Sequence, residues 1–116
     1  MSKMTIIKNS TIINGVLEPA GVRPGADTGF PEMSILEFAK NAQGDIGIWE
    51  CEPGGWPVNN RPNTEFCYIL SGKATLTDDL SGEITPVSAG DLIILPIGWT
   101  GRWDIVETVR KIYTIY

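Results

Sequence analysis

The stretch NRPNTEFCYILSG, residues 60–72, sets a carboxylate, Glu65, at the head of a run of apolar and β-branched residues. The Arg61 guanidinium lies four positions upstream of it and the Cys67 thiol two positions downstream. An ionised carboxylate in an apolar setting must find a cation or take a proton. Held by Arg61, Glu65 is half of an ion pair, either structural or presented as a polar clamp for a small anionic or amide-bearing ligand. Left unpaired it is neutral near pH 7 and a candidate general acid. The chain has no histidine, which removes Ser-His-Asp and Cys-His nucleophilic sets and every imidazole-ligated metal from consideration. Its two cysteines, Cys51 and Cys67, form no CxxC pair, and free thiols are expected. Glu50 is either a surface acid or a second pocket carboxylate; two acids sharing a cavity would have separated pKa values and a basis for acid–base work.

The elements that must position these groups are strands. Thirteen glycines and eight prolines punctuate the chain, and between them lie short runs rich in Ile, Val, Thr, Tyr and Trp, the rhythm of an all-β barrel or sandwich. The expected strands are TIIK, TIINGVL, MSILEF, DIGIWEC, TEFCYIL, KATLT, EITPV, DLIILP, GRWDIV and VRKIYTIY; SILEFAKNA is the only short helical competitor. The glycine of SGK predicts a turn between TEFCYIL and KATLT, and DDLSGE predicts a hairpin loop before EITPV. The longest irregular piece, ECEPGGWPVNNRPNTE, has three prolines that argue against a central strand. Such loops often line a binding mouth. Residues 20–31 read as a Pro/Gly-rich connection, so a single domain over 1–116 is expected, with 1–45 as an N-terminal arm and 46–116 as the barrel.

A net charge of −5 with scattered basic residues offers no surface for a phosphate backbone, and nucleic acid is not an expected partner. The longest apolar run, LIILPIGW, is too short to cross a bilayer as a helix, and the N-terminus lacks a signal-like apolar stretch. No membrane partner is expected, and the cytoplasm is the default address.

In EFCYILSG an acid precedes a glycine by seven positions, and GDLIILPIG places Gly90, Pro96 and Gly98 in order. The pair resembles the two signature motifs of the cupin superfamily, which implies a double-stranded β-helix, or jelly-roll, barrel. The fuller strings TEFCYILSGKATLTDDLSGE and GDLIILPIGWTGRWDIVETVRKIY look like the small cupins related to (S)-ureidoglycine aminohydrolase, a resemblance that covers about residues 46–116. In metal-bearing relatives two histidines precede the acid and a third follows the second motif. Here those places fall near Asn59 and Arg61 and at Gly101, while a further frequent histidine place is Ile112. The resemblance therefore implies the fold without the metal, and no cofactor is expected.

Strand alternation then sorts the side chains. With Glu65 inward, Cys67 and Ile69 share its face and Phe66, Tyr68 and Leu70 look outward. Gly101 inward would leave an empty volume where an imidazole sits in relatives, with Trp103 as a wall or a core residue. The candidate site is thus Glu65 as the group for acid–base work, with Asn59, Arg61, Cys67, Gly101 and Trp103 around a small-molecule ligand. Three functions follow: a metal-free binder of a small polar molecule, a metal-dependent aminohydrolase acting on ureido or amide compounds, or a non-catalytic structural or regulatory module. An apolar outer sheet face needs a cover, either the N-terminal arm or a second subunit, and because the cupins it resembles commonly dimerise through such a sheet, a homodimer is expected.

Overall fold

The computed structural model describes residues 2–116; Met1, the first residue of the expected arm, lies outside the described residues. One short helix, α1 (Asn9–Asn14), precedes eight strands: β1 (Glu18–Val22), β2 (Glu32–Asn41), β3 (Gly44–Cys51), β4 (Gly54–Val58), β5 (Glu65–Asp78), β6 (Ile84–Ser88), β7 (Leu92–Leu95) and β8 (Gly101–Ile115). All pairings are antiparallel.

Two long strands organise the molecule, because each serves two sheets in turn. The first half of β5 pairs with β7 and the last part of β8, whereas its second half pairs with β6 and the first part of β8. One sheet therefore runs β1-β2-β3-β8-β5-β7 and the other β4-β8-β5-β6. The bend falls where register slips three times between Ile69 and Ala74. There Gly72 has φ +92°, and a Cβ on it would run into the Thr108 backbone carbonyl. Successive bulges turn a strand sharply, and a residue without a side chain lets the two backbones cross.

This corrects the expected turn at SGK. The glycine does occupy a positive φ, but as a bulge within one continuous strand, so TEFCYIL and KATLT are halves of β5, and GRWDIV and VRKIYTIY are likewise halves of β8. SILEFAKNA is strand, as its Ile and Phe favour.

The N-terminal strands TIIK and TIINGVL are not formed. Residues 9–14 are helical instead, because the exposed carbonyls at the end of α1 have a tertiary partner: Arg110 donates to Thr11 O, Ile12 O and Gly15 O at 2.8–3.1 Å. A guanidinium at a helix C-terminus satisfies orphan carbonyls and complements the dipole. A strand, β1, does form across the start of the expected Pro/Gly connection, laid on the edge of β2 with a bulge between Pro19 and Gly21. The long loop also yields β4, which pairs only with β8 in the sheet; Pro57 is tolerated there because an edge strand has a free side. Among the described residues no helix is long and apolar enough to cross a membrane.

The core lies between the sheets. Its buried members include Cys51, Trp56, Cys67, Ile69, Ala74, Leu95, Trp103, Ile105, Val109 and Tyr113.

Candidate functional site

A cavity of about 470 Å³ opens between the sheets, within the range of small-molecule sites. Its wall is aromatic: Trp56 and Trp103 stack with centroids 6.4 Å apart and planes 17° apart, and Trp49 meets Trp56 at 6.0 Å and 73°. Trp56 and Trp103 face each other directly across the β4–β8 pairing, so cross-strand register creates the wall.

Glu65 sits at the head of β5, 5% exposed, and Cys67 and Ile69 are fully buried on the same face. Its two oxygens are already engaged. Arg61 Nη1 donates to Oε1 at 3.3 Å, and Lys111 Nζ donates to Oε2 at 2.8 Å. Lys111 is itself only 5% exposed. Its ammonium stands 4.3 Å from the Trp49 ring centre and 4.5 Å from that of Trp103, a carboxylate-and-two-indoles cage that satisfies a buried cation by charge and by quadrupole. Burial pushes the Glu65 carboxyl upward. Yet the charge and hydrogen bond of Lys111, with the charges of Arg61 and Arg23, outweigh burial and hold it below the ordinary carboxylate range. Glu65 is therefore ionised, which removes the neutral-general-acid alternative.

Arg61 is fixed on both sides. Its Nε and Nη2 donate to Asn63 O at 3.2 Å and Asn63 Oδ1 at 3.0 Å, and its backbone exchanges bonds with the 98–99 turn through Trp99 O and the Gly98 amide. Asn60, at φ 45°, turns the loop there and donates its amide to Thr100 Oγ1. The loop left without regular structure by the sequence is thus pinned to the second signature motif, and that pinning delivers Arg61 to the cavity.

Of the expected site residues, Glu65, Asn59, Arg61 and Trp103 line the cavity, whereas Cys67 and Gly101 do not. Cys67 is buried behind the lining, and burial raises its thiol pKa to about 11. The volume expected at Gly101 is filled: a Cβ there would collide with the Trp99 indole and the Thr77 carbonyl. Glu50 faces away from the cavity and pairs with Arg110 at 3.1 Å, so it is no second pocket carboxylate. Lys111, Arg23, Trp49, Trp56 and Tyr113 are lining residues that the sequence reading did not single out. For Lys111 a signal existed, since it stands two positions from Tyr113 and eight from Trp103 in the same strand, but the register across β8 was needed to aim it at Glu65.

A transition-metal site does not fit these residues. The one acid the fold would offer a metal is bound by an ammonium and a guanidinium, and among the described residues no three His, Cys, Asp or Glu side chains converge. A divalent ion would have to displace two cations and would find no nitrogen or sulfur donor set.

Two bent antiparallel sheets closed around one cavity, with the acid at the mouth of β5 and Gly90, Pro96 and Gly98 flanking β7, define a cupin jelly-roll domain. Residues 38–113 match the EutQ-like cupin domain, and the chain belongs to that family. It is similar to a protein of unknown function of the DUF861 family from Pseudomonas syringae, with a TM-score of 0.79, 19% identity and coverage of 87% of this chain and 44% of that one. This chain thus spans less than half the length of that relative. A DUF861 family protein from Thermotoga maritima is 36% identical over 60% of this chain and 76% of that one, with a TM-score of 0.55. A putative ethanolamine utilization protein Q from Salmonella typhimurium is 17% identical with a TM-score of 0.66, covering 88% of this chain and 98% of that one. No curated protein matches the chain.

Proposed function

We propose that this cupin domain is a metal-free binding module for a small polar molecule carrying a negative group, taken up in the tryptophan-walled cavity. The carrying observation is the charge at the head of β5: Lys111, Arg61 and Arg23 gather around the single carboxylate of Glu65, so positive charge is in excess there. Lys111 is saturated by its cage. Arg23 is not: it is half-buried over the Trp56 ring at 5.1 Å, and its guanidinium makes one hydrogen bond, to the neighbouring Pro24 carbonyl. Its remaining N–H groups supply the planar fork that carboxylates accept, and Trp56 and Trp103 supply a face for an apolar stem.

A thermal-shift series of small carboxylates, with neutral amides and sugars alongside, tests the reading. Saturable stabilisation by at least one carboxylate is expected, about 2.7 kcal/mol at a hundred times its Kd, and Arg23→Ala should weaken it by about tenfold. If none of the carboxylates stabilises the protein, or if Arg23→Ala leaves the response unchanged, the reading fails. The narrower aminohydrolase likeness would require a metal donor set that Lys111 and Arg61 replace; near-stoichiometric manganese, zinc, iron or nickel in protein purified without chelator would reinstate it.

The same reading includes a homodimer. On the outer face Phe66 pairs with Ile94 and Tyr68 with Leu92, and all four are exposed. Such a continuous apolar patch supports a second copy as its cover, tested by light scattering on the wild type and on Ile94→Lys. The free thiols Cys51 and Cys67 support a reducing compartment, the cytoplasm.

A further inference from the structure

The lining of the cavity is electrically divided, and the division narrows the ligand class. Because the residues opposite one another on neighbouring strands share a face, the register sets out the inner surface in rows. Asp45, Ile115 and Glu65 form one row across β3, β8 and β5, and Glu37, Gly47 and Tyr113 form the next across β2, β3 and β8. Adjacent strands are about 4.8 Å apart, so each of these acids on the β2–β3 side stands about 10 Å, two strand spacings, from β5 or β8 at the far end of its row.

The cationic groups Arg23, Arg61 and Lys111 gather around Glu65 at one side, whereas Glu37 and Asp45 line the other with no ion-pair partner among the described residues. Tyr113 is aimed between them. Gly47 has no side chain, and a Cβ there would lie 2.7 Å from the Tyr113 hydroxyl, so the ring lies over β3 toward the Glu37 side. Burial first, then the charges of Glu37, Asp45 and Glu65, push the Tyr113 phenol up to about 12. It therefore stays protonated as a donor, and those three acids all act on the same point of the cavity.

We infer that the ligand is a small zwitterion, its carboxylate on Arg23 and Arg61 and its ammonium between Glu37 and Asp45, with the stem against the tryptophans. The inference rests on the proposed pocket function and deepens it. Either pole alone would accept a simple anion or a simple amine. Both poles on one cavity favour a molecule that neutralises the two together, since each charge left unpaired on the lining costs binding energy.

The test is titration calorimetry of the wild-type chain with γ-aminobutyrate, butyrate and butylamine, which share a stem and differ only in their ends, with glycine as a shorter zwitterion. The expected result is γ-aminobutyrate binding about tenfold or more tighter than either one-ended analogue. In the Glu37→Gln, Asp45→Asn double variant, whose changes fall on an exposed and a half-buried side chain, γ-aminobutyrate should lose its advantage over butyrate, which should bind no more weakly than to the wild type. Butyrate binding as tightly as γ-aminobutyrate would overturn this inference and leave the anion pocket standing. So would butylamine binding as tightly, or a double variant that keeps the preference. If none of the four binds, both readings fall together.

Discussion

Lys111→Met keeps an unbranched, apolar stem as far as the ε position and removes the ammonium, leaving Glu65 ionised in a buried site with Arg61 at 3.3 Å as its remaining partner. Side-chain exposures of 7% for Lys111 and 6% for Glu65 put the pair in the regime where removing one member costs about 3–5 kcal/mol, because the other is stranded. The retained Arg61 contact draws the figure toward about 3 kcal/mol, and loss of the two indole contacts pushes it back by about 0.5–2 kcal/mol. Against a total stability of about 5–15 kcal/mol this is a large share. Urea unfolding at neutral pH should show it as a lower midpoint at unchanged slope.

The pH dependence gives the sharper readout. In the wild type Glu65 is held below its ordinary value, so its contribution is present above the unfolded carboxylate pKa and is lost as pH falls through the lower folded value. Without Lys111, burial is no longer outweighed, the carboxyl titrates higher, and protonation relieves the stranded charge. The deficit of Lys111→Met relative to wild type should therefore shrink between neutral pH and pH ~4. Adding Glu65→Gln should recover at least half of the loss in a double-mutant cycle. A deficit under about 1 kcal/mol, or one unaffected both by acid and by Glu65→Gln, would refute the account of Lys111 as the partner that keeps Glu65 charged.

Two further outcomes follow from the fold. Arg110→Ala removes the donor to the Thr11, Ile12 and Gly15 carbonyls, and hydrogen exchange should show residues 9–15 losing protection while β3 and β8 keep theirs. Gly72→Ala combines a strained φ with a collision against the Thr108 backbone, and a loss of about 2–4 kcal/mol is expected in urea unfolding; a loss below 1 kcal/mol would show that the bulge relaxes freely.

Much of the barrel was legible because its signals are local. The alternation in TEFCYIL needs only the pleat, and Glu65, Cys67 and Ile69 lie buried while Phe66 and Tyr68 are exposed. Arg61 was readable as a candidate partner of Glu65 from their four-residue separation, but the contact itself, at 3.3 Å, is made by the folded loop. Where the reading failed, a distant partner had overridden the local pattern. The β-branched run at Thr11–Ile13 is helical because Arg110, about a hundred residues on, takes its carbonyls. The glycine in SGK bends a strand instead of ending it because β8 runs alongside and bends with it.

By itself the sequence determined an all-β domain and the absence of imidazole, since these follow from composition and from periodicities of a few residues, while the cupin pattern and the inward acid came with the resemblance carried by EFCYILSG and GDLIILPIG. Only the tertiary structure decided what that acid meets. Lys111 is forty-six positions from Glu65, Trp49 and Trp103 come from different strands, and Glu37 and Asp45 reach the cavity through the register of β2 and β3. Spacing along a chain specifies which face a side chain takes, but which groups share that face is set by how strands pair across it, and that is a property of the folded sheet alone.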